Sequence, residues 1–367
     1  MHGGSYGRFV PTGHLIFVRN GTLMAAPFDL KQLQLIGPAV PMLEGVMEDL
    51  GDGSAQFSVS DQGTLFYIQG SPRAEEGTLV WVDREGKELP LSAPPRPYLF
   101  PRLSPDGRLI AVDIQSDIWV YDLARETLSR LTFGGTNSFP MWSPDGNWVV
   151  YHSAKPGKLP NLAMKPADGS GMEERLTSSE NTQYPFSWSP HGQMIAFTEN
   201  NPTTGLDIWV LPISEGRKPR LFLQTPFTET GAKFSPDGRW LAYASNESGQ
   251  YEIYVQPYPG PGGKWQVSNE GGVEPVWGSN GELFFRNSNR MMAVETRTQP
   301  TFSAGTPRVI FQNSYDPRGP GVQNYAVTAD GKRFVMVKLT RMEGGSPRQI
   351  NVVLNWFEEL KQKVPVE

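Results

Sequence analysis

The chain of 367 residues contains no cysteine. That rules out disulfides, thiolate metal sites and a cysteine nucleophile, and it suits an oxidising compartment as well as a reducing one. Histidine is scarce. His2, His14, His152 and His191 fall in different parts of the chain with no i, i+4 pairing, so no zinc site is expected. No apolar run approaches the length of a bilayer-spanning helix, and the opening MHGGSYGRFVPTG lacks the charged-then-apolar pattern of a secretory signal. Net charge is only −5 and the lysines and arginines form no run. A nucleic-acid partner is therefore not expected, because it requires a basic stripe to displace phosphate counterions. A helical apolar period is missing until FEELKQK at 357–363, which predicts one short C-terminal helix.

Turn-forming residues are abundant. The 33 prolines and 39 glycines imply many turns, and many turns imply many short strands. They recur in order. PRLSPDGRLIAV (101–112) returns as PMWSPDGNWVVY (140–151), FSWSPHGQMIAF (186–197) and AKFSPDGRWLAY (232–243). Looser copies are FVPTGHLIFV (9–18), FSVSDQGTLFY (57–67), PVWGSNGELFF (275–285) and YAVTADGKRFVM (325–336). The pivotal glycines, Gly13, Gly63, Gly107, Gly146, Gly192, Gly238, Gly281 and Gly331, are 39 to 50 residues apart, the period of propeller repeats. In each copy Pro presets the first turn position, Asp bonds its own backbone and Gly takes the left-handed conformation. Asp106, Asp145 and Asp237, with His191 in the variant copy, thus read as turn-formers, not catalysts.

After each hairpin comes a period-two segment rich in β-branched and aromatic residues, such as TLVWVDRE, DIWVYDLA, DIWVLPIS and INVVLNWF. A fourth short strand follows in most copies. The predicted fold is all-β: a β-propeller of four-stranded antiparallel blades in a single domain over 1–367. Eight repeats are expected at about 8–50, 55–92, 98–133, 138–178, 184–225, 231–268, 273–312 and 323–357. Trp119, Trp142, Trp148, Trp188, Trp209, Trp240 and Trp277 recur at similar places and are assigned to packing between blades. Ring closure stays open. The eighth repeat has three strands and Met1–Tyr6 is short for a fourth, so the last blade is three-stranded, or seven blades close with an end repeat outside, or the sequence is truncated.

The [FW]-S-P-D-G-x-x-[IL]-A-[FY] hairpin followed by [DE]-I-[WY]-V resembles the TolB-type, WD40-like propeller repeat over nearly the whole chain. PTGHLIFVRNGTLMAAPFDL (11–30), WVDREGKELPL (81–91), LAYASNESGQYEIYVQPYPGPGGKWQVS (241–268) and LNWFEELK (354–361) resemble the C-terminal propeller region of bacterial membrane-anchored serine/threonine kinases. The resemblance implies a sensory or interaction module, periplasmic or extracytoplasmic if the chain is a fragment of such a protein and cytoplasmic if it is complete. It does not imply phosphotransfer, because the Gly-rich loop, VAIK-like strand, HRD and DFG of the kinase half are absent.

Two apparent motifs fail on context. GGSYG at 3–7 has the spelling of a nucleophile elbow but neither the preceding strand nor the downstream triad. PGPGGKWQ (259–266) places Trp265 where a phosphate loop needs Ser or Thr. The candidate site comes instead from architecture, since loops leading into the innermost strands ring one mouth of the channel. They carry Tyr98, Asn137, Ser138, Gln183, Tyr184, Glu229, Glu270, Glu274, Gln323, Asn324 and Tyr325, the amides, aromatics and carboxylates of a concave polar site. Glu229, Glu270 and Glu274 with Asn137 and Asn324 would also suit Ca²⁺ if they converged, and EDLGDGSAQF (48–57) is a further acidic loop. No other cofactor is expected. The function read from these features is non-catalytic binding of a protein, peptide or small ligand, with a protein or peptide as the expected partner. The alternative is a metal-assisted hydrolase or lyase at the channel mouth.

Overall fold

The computed structural model describes residues 5–19, 21–48, 54–69, 76–155, 157–214, 216–316, 321–339 and 349–365. Residues 49–53 of the acidic loop at 48–57, and His2, lie outside them. The chain divides into two compact units: 77–340, and a second made of 1–76 with 341–367. The sequence reading placed all eight repeats in one domain. The strands show why it is two.

In the 77–340 unit six antiparallel sheets follow one another. The first four are each built from one uninterrupted repeat, with inner strands Tyr98–Leu103, Thr136–Trp142, Gln183–Trp188 and Glu229–Phe234. The fifth begins at Val273–Trp277, and two short segments, Ser303–Ala304 and Arg308–Gln312, pair with its third strand. The sixth is composite. Its inner hairpin is Tyr325–Val327 and Arg333–Leu339, but its outer strands are Gly77–Asp83 and Glu88–Pro90.

Residues 77–83 were expected to follow the 57–67 hairpin, and 350–353 to follow the 325–336 hairpin. The structure exchanges them, and Ile350–Val353 pairs with Leu65–Ile68 instead. Burial accounts for the exchange. Gly77–Asp83 pairs along seven residues and buries Leu79, Val80, Trp81 and Val82, whereas Ile350–Val353 offers four residues, with Ile350 and Val352 more than half exposed. Apolar area removed from water favours the longer, more buried strand in the ring.

Six apolar clusters show that the sheets close on themselves, one between each adjacent pair. Trp142 with Ile118 and Leu131 joins the second sheet to the first. Ile195 and Phe197 pack on Met141 and Leu162, and the same pattern joins third to fourth and fourth to fifth. Phe284 and Phe334 join fifth to sixth, and Leu79, Trp81 and Val335 pack on Tyr98, Ile110 and Tyr121 to close sixth on first. The recurring tryptophans lie within or against these clusters, as their interblade assignment requires.

The Ser-Pro-Asp-Gly turn has the expected structural role. Ser104 Oγ donates to Asp106 Oδ1 at 2.6 Å and accepts from Leu109 N at 2.9 Å, while Arg108 N donates to Asp106 Oδ1 at 3.1 Å. Gly107 has φ 70°, a conformation that favours glycine. The bonds recur around Asp145 and Asp237. Asp106→Ala removes two acceptor contacts in an exposed turn and should cost about 1 kcal/mol in urea unfolding.

The other unit has a five-stranded sheet over residues 5–44, a three-stranded sheet of Phe57–Val59, Leu65–Ile68 and Ile350–Val353, and the helix Trp356–Lys363. Trp356, Phe357 and Leu360 enter its core beside Ile16, Leu23 and Leu65, and buried His14 bonds the Val364 carbonyl through Nε2 at 2.6 Å. Ser5 begins a strand, so it does not occupy the strand-to-helix turn of a nucleophile elbow. No described helix is long and apolar enough to cross a membrane.

Candidate functional site

Most of the proposed mouth residues are spent on holding the inner strands. Asn137 Nδ2 donates to Gly134 O at 2.9 Å, and the Ser138 hydroxyl donates to Asp113. Gln183 Nε2 donates to Glu199 at 2.6 Å and its Oε1 accepts from Thr177. Glu229 is wholly buried and accepts from the Thr225 hydroxyl; burial raises its pKa, with Asp207 adding repulsion. Tyr98 belongs to the sixth–first core, its hydroxyl donates to Pro94 O, and burial pushes it up to about 12. Glu270 is exposed, and only its backbone carbonyl takes a bond, from Asn287.

Glu274, Asn324 and Tyr325 tie the fifth sheet to the sixth. Asn324 N donates to Glu274 Oε2 at 3.0 Å, Tyr325 OH to Glu274 O at 2.8 Å, and Phe100 N of the first sheet to Asn324 Oδ1 at 2.8 Å. Burial raises the Glu274 carboxyl to about 7 despite Arg286 at 3.8 Å. Tyr184 joins an aromatic group: Phe100 stacks on Phe139 at 4.3 Å, and His152 and Phe139 lie 5.2 and 5.1 Å from the Tyr184 ring. His152 Nδ1 donates to Gln183 O, and burial lowers its pKa to about 4, so the ring is neutral at pH 7. Among the described residues no three His, Asp or Glu side chains group so as to hold a metal ion; Glu229, Glu270 and Glu274 do not form the cage that Ca²⁺ would need.

The concavity lies at the other end of the same strands. A cavity of about 400 Å³ is bounded by Pro105, Pro144, Pro190 and Pro236 of the turns. Each inner strand contributes the residue two places before the position of the turn serine: Arg102, Met141, Ser187, Lys233, Val276 and Ala326. In five strands the register slips just before this residue, and a bulge re-aims the side chains that follow. Phe100, Phe139 and Glu274 occupy these slips with φ of 53°, 57° and 60°, and each precedes a proline. Left-handed backbone at bulky residues is strained and persists only where the surroundings hold it.

Trp142, Trp188 and Trp277 are part of the wall. Trp142 Nε1 donates to Arg102 O at 2.9 Å and Trp277 Nε1 to Lys233 O at 3.1 Å, pinning the strand next door. Arg102 Nη1 donates to the carbonyls of Pro101 and Tyr325, and Lys233 Nζ to that of Phe186. Burial lowers Arg102 to about 10 and lowers Lys233 well below the usual lysine range, Arg102 adding repulsion. Gln323 is the one predicted site residue that lines this cavity. Its Nε2 donates to Tyr325 O at 2.6 Å, while its buried Oε1 has no partner. Sequence reasoning missed Arg102 and Lys233, although both sit at a fixed offset from the Ser-Pro turn.

No known family profile matches the chain. An uncharacterized protein of Agrobacterium fabrum is 26% identical over 199 residues, covering 50% of this chain and 67% of that protein. Dipeptidyl-peptidase 5 of Porphyromonas gingivalis is 36% identical over 74 residues, 18% of this chain, which spans only 11% of the peptidase. Among solved structures, a putative TolB from Agrobacterium tumefaciens aligns with a TM-score of 0.60 at 18% identity, over 73% of this chain and 99% of its own. The fold is thus a TolB-like β-propeller, as the repeat spelling implied.

Proposed function

We propose that the protein is a non-catalytic propeller that binds a peptide or protein segment in the cavity of the 77–340 ring, as a sensory or scaffolding module. One observation carries the reading. All six sheets contribute to one concavity whose lining is largely apolar, with Arg102, Lys233 and Gln323 among its polar groups, the composition of a binding pocket. The segments that resemble the propeller region of bacterial membrane-anchored kinases agree with a sensory role.

The absence of native cysteine makes the test clean. Ser279 lies at the cavity and is exposed, so Ser279→Cys carrying a bulky maleimide should obstruct it. Peptides selected from a display library on the unlabelled protein should lose at least about tenfold in affinity for the labelled one. Selected peptides that bind both forms equally would place binding elsewhere. A melt in about 1 mM Ca²⁺ against chelator runs in parallel, since an ion held by the folded state raises the midpoint by mass action.

A further inference from the structure

We propose that Arg102 and Lys233 form an anion-recognition pair in the cavity and that the bound segment is an acidic peptide carrying carboxylate side chains. The inference rests on the peptide-binding reading above and narrows it.

The two residues hold the same register position in the first and fourth of six sheets, so they face each other across the ring. Neither makes a salt bridge among the described residues, and no aspartate or glutamate lines the cavity. Their bonds go to three backbone carbonyls. A guanidinium offers five donors and an ammonium three, so donors remain for a ligand. Two desolvated basic groups that repel each other are costly; Glu274 offsets Arg102 only in part, since burial still lowers the Arg102 pKa despite it, and a carboxylate between the pair relieves both costs. The equivalent positions in the other sheets hold Met, Ser, Val and Ala, so the ring does not require a cation there.

The rim does not cancel this field. Asp106 and Asp330 lie 3.8 and 4.0 Å from Arg108 and Lys332, and Arg239 offsets Asp237, leaving Asp145 bonded to Asn147. Gln323 Oε1, a buried acceptor with no partner, adds a second demand. An N–H donor would satisfy it. Carboxylate and N–H on one ligand describe an acidic peptide.

The test uses the full chain and two capped pentapeptides, one with two glutamates and one with glutamines in their place, followed by calorimetry. Wild type should bind the glutamate peptide at least about tenfold more tightly. Arg102→Met with Lys233→Met, a side chain the second sheet already carries at this position, should erase that preference. Raising salt from about 0.05 to 0.5 M on wild type alone should weaken only the glutamate peptide, which keeps the test decisive if the double variant folds poorly. Equal affinity for the two peptides would overturn the anion pair and leave peptide binding standing. Failure of both peptides to bind would overturn both readings. A preference that survives in a folded double variant would overturn the assignment to these residues.

Discussion

Replacing Glu282 by glutamine should cost the 77–340 unit about 3 kcal/mol at pH 7 and almost nothing below pH 2. Arg84 follows the closing strand Gly77–Asp83 and reaches Glu282 of the fifth sheet with two parallel bonds, at 2.7 and 2.9 Å. Its Nη1 also donates to the Gly331 carbonyl at 2.9 Å, and Arg308 donates to the same carboxylate at 2.8 Å. Glu282 is buried, so removing its charge leaves Arg84 without compensation. Arg84, first, and Arg308 hold its pKa down to about 2, against 4.5 ordinarily. A carboxyl depressed on folding contributes stability that is complete above the unfolded value and vanishes as pH falls through the folded one. The wild-type protein should therefore lose this contribution between about pH 4.5 and 2, and the glutamine variant should show no such loss. Urea unfolding followed by tryptophan fluorescence across that range reads the difference. A variant equally impaired at both ends would mean that packing, not charge, latches the ring.

Phe334→Ala should be at least as damaging, at about 3–5 kcal/mol. The side chain is fully buried where fifth and sixth sheets meet. Its ring makes edge contacts with Phe284 and Phe311 at 5.3 and 5.2 Å, so truncation loses transfer energy, leaves a cavity and removes aromatic pairing at once. Val352→Ala is the control. That residue is half exposed on the strand that sequence reasoning assigned to this same sheet, and its loss should stay within about 0.5 kcal/mol. Comparable losses from both would return 350–353 to the ring and contradict the exchange of third strands.

The hairpins were legible because turn chemistry is local. Ser104, Asp106 and Gly107 complete their bonds within six residues, so their spelling alone locates the bend. Third-strand partnership was not legible, because 77–83 and 350–353 share the same alternation and only the number of buried residues separates them. The same limit applied to the candidate site. Asn137, Gln183 and Asn324 are polar residues at strand starts, a pattern shared by ligand anchors and by groups that satisfy neighbouring backbone. Which way they point depends on bulges that the sequence marks only through Phe100-Pro101, Phe139-Pro140 and Glu274-Pro275. Arg102 and Lys233 were not legible as a pair because they lie on separate strands that only the ring sets face to face.

The borrowed closing strand also imposes a timetable on biosynthesis. Glu88 and Lys338, which form an ion pair beside that strand, are 250 positions apart. At about 5–20 residues per second the ribosome needs roughly 10–50 s to cover the interval. Until then the Val80 and Val82 face has no sheet to enter, and the hairpin beginning at Tyr325 does not yet exist. Five sheets can assemble as they emerge, but the sixth waits for the end of the unit. During translation the nascent chain thus carries an unpaired apolar strand ahead of the five sheets, the kind of edge on which one chain templates another.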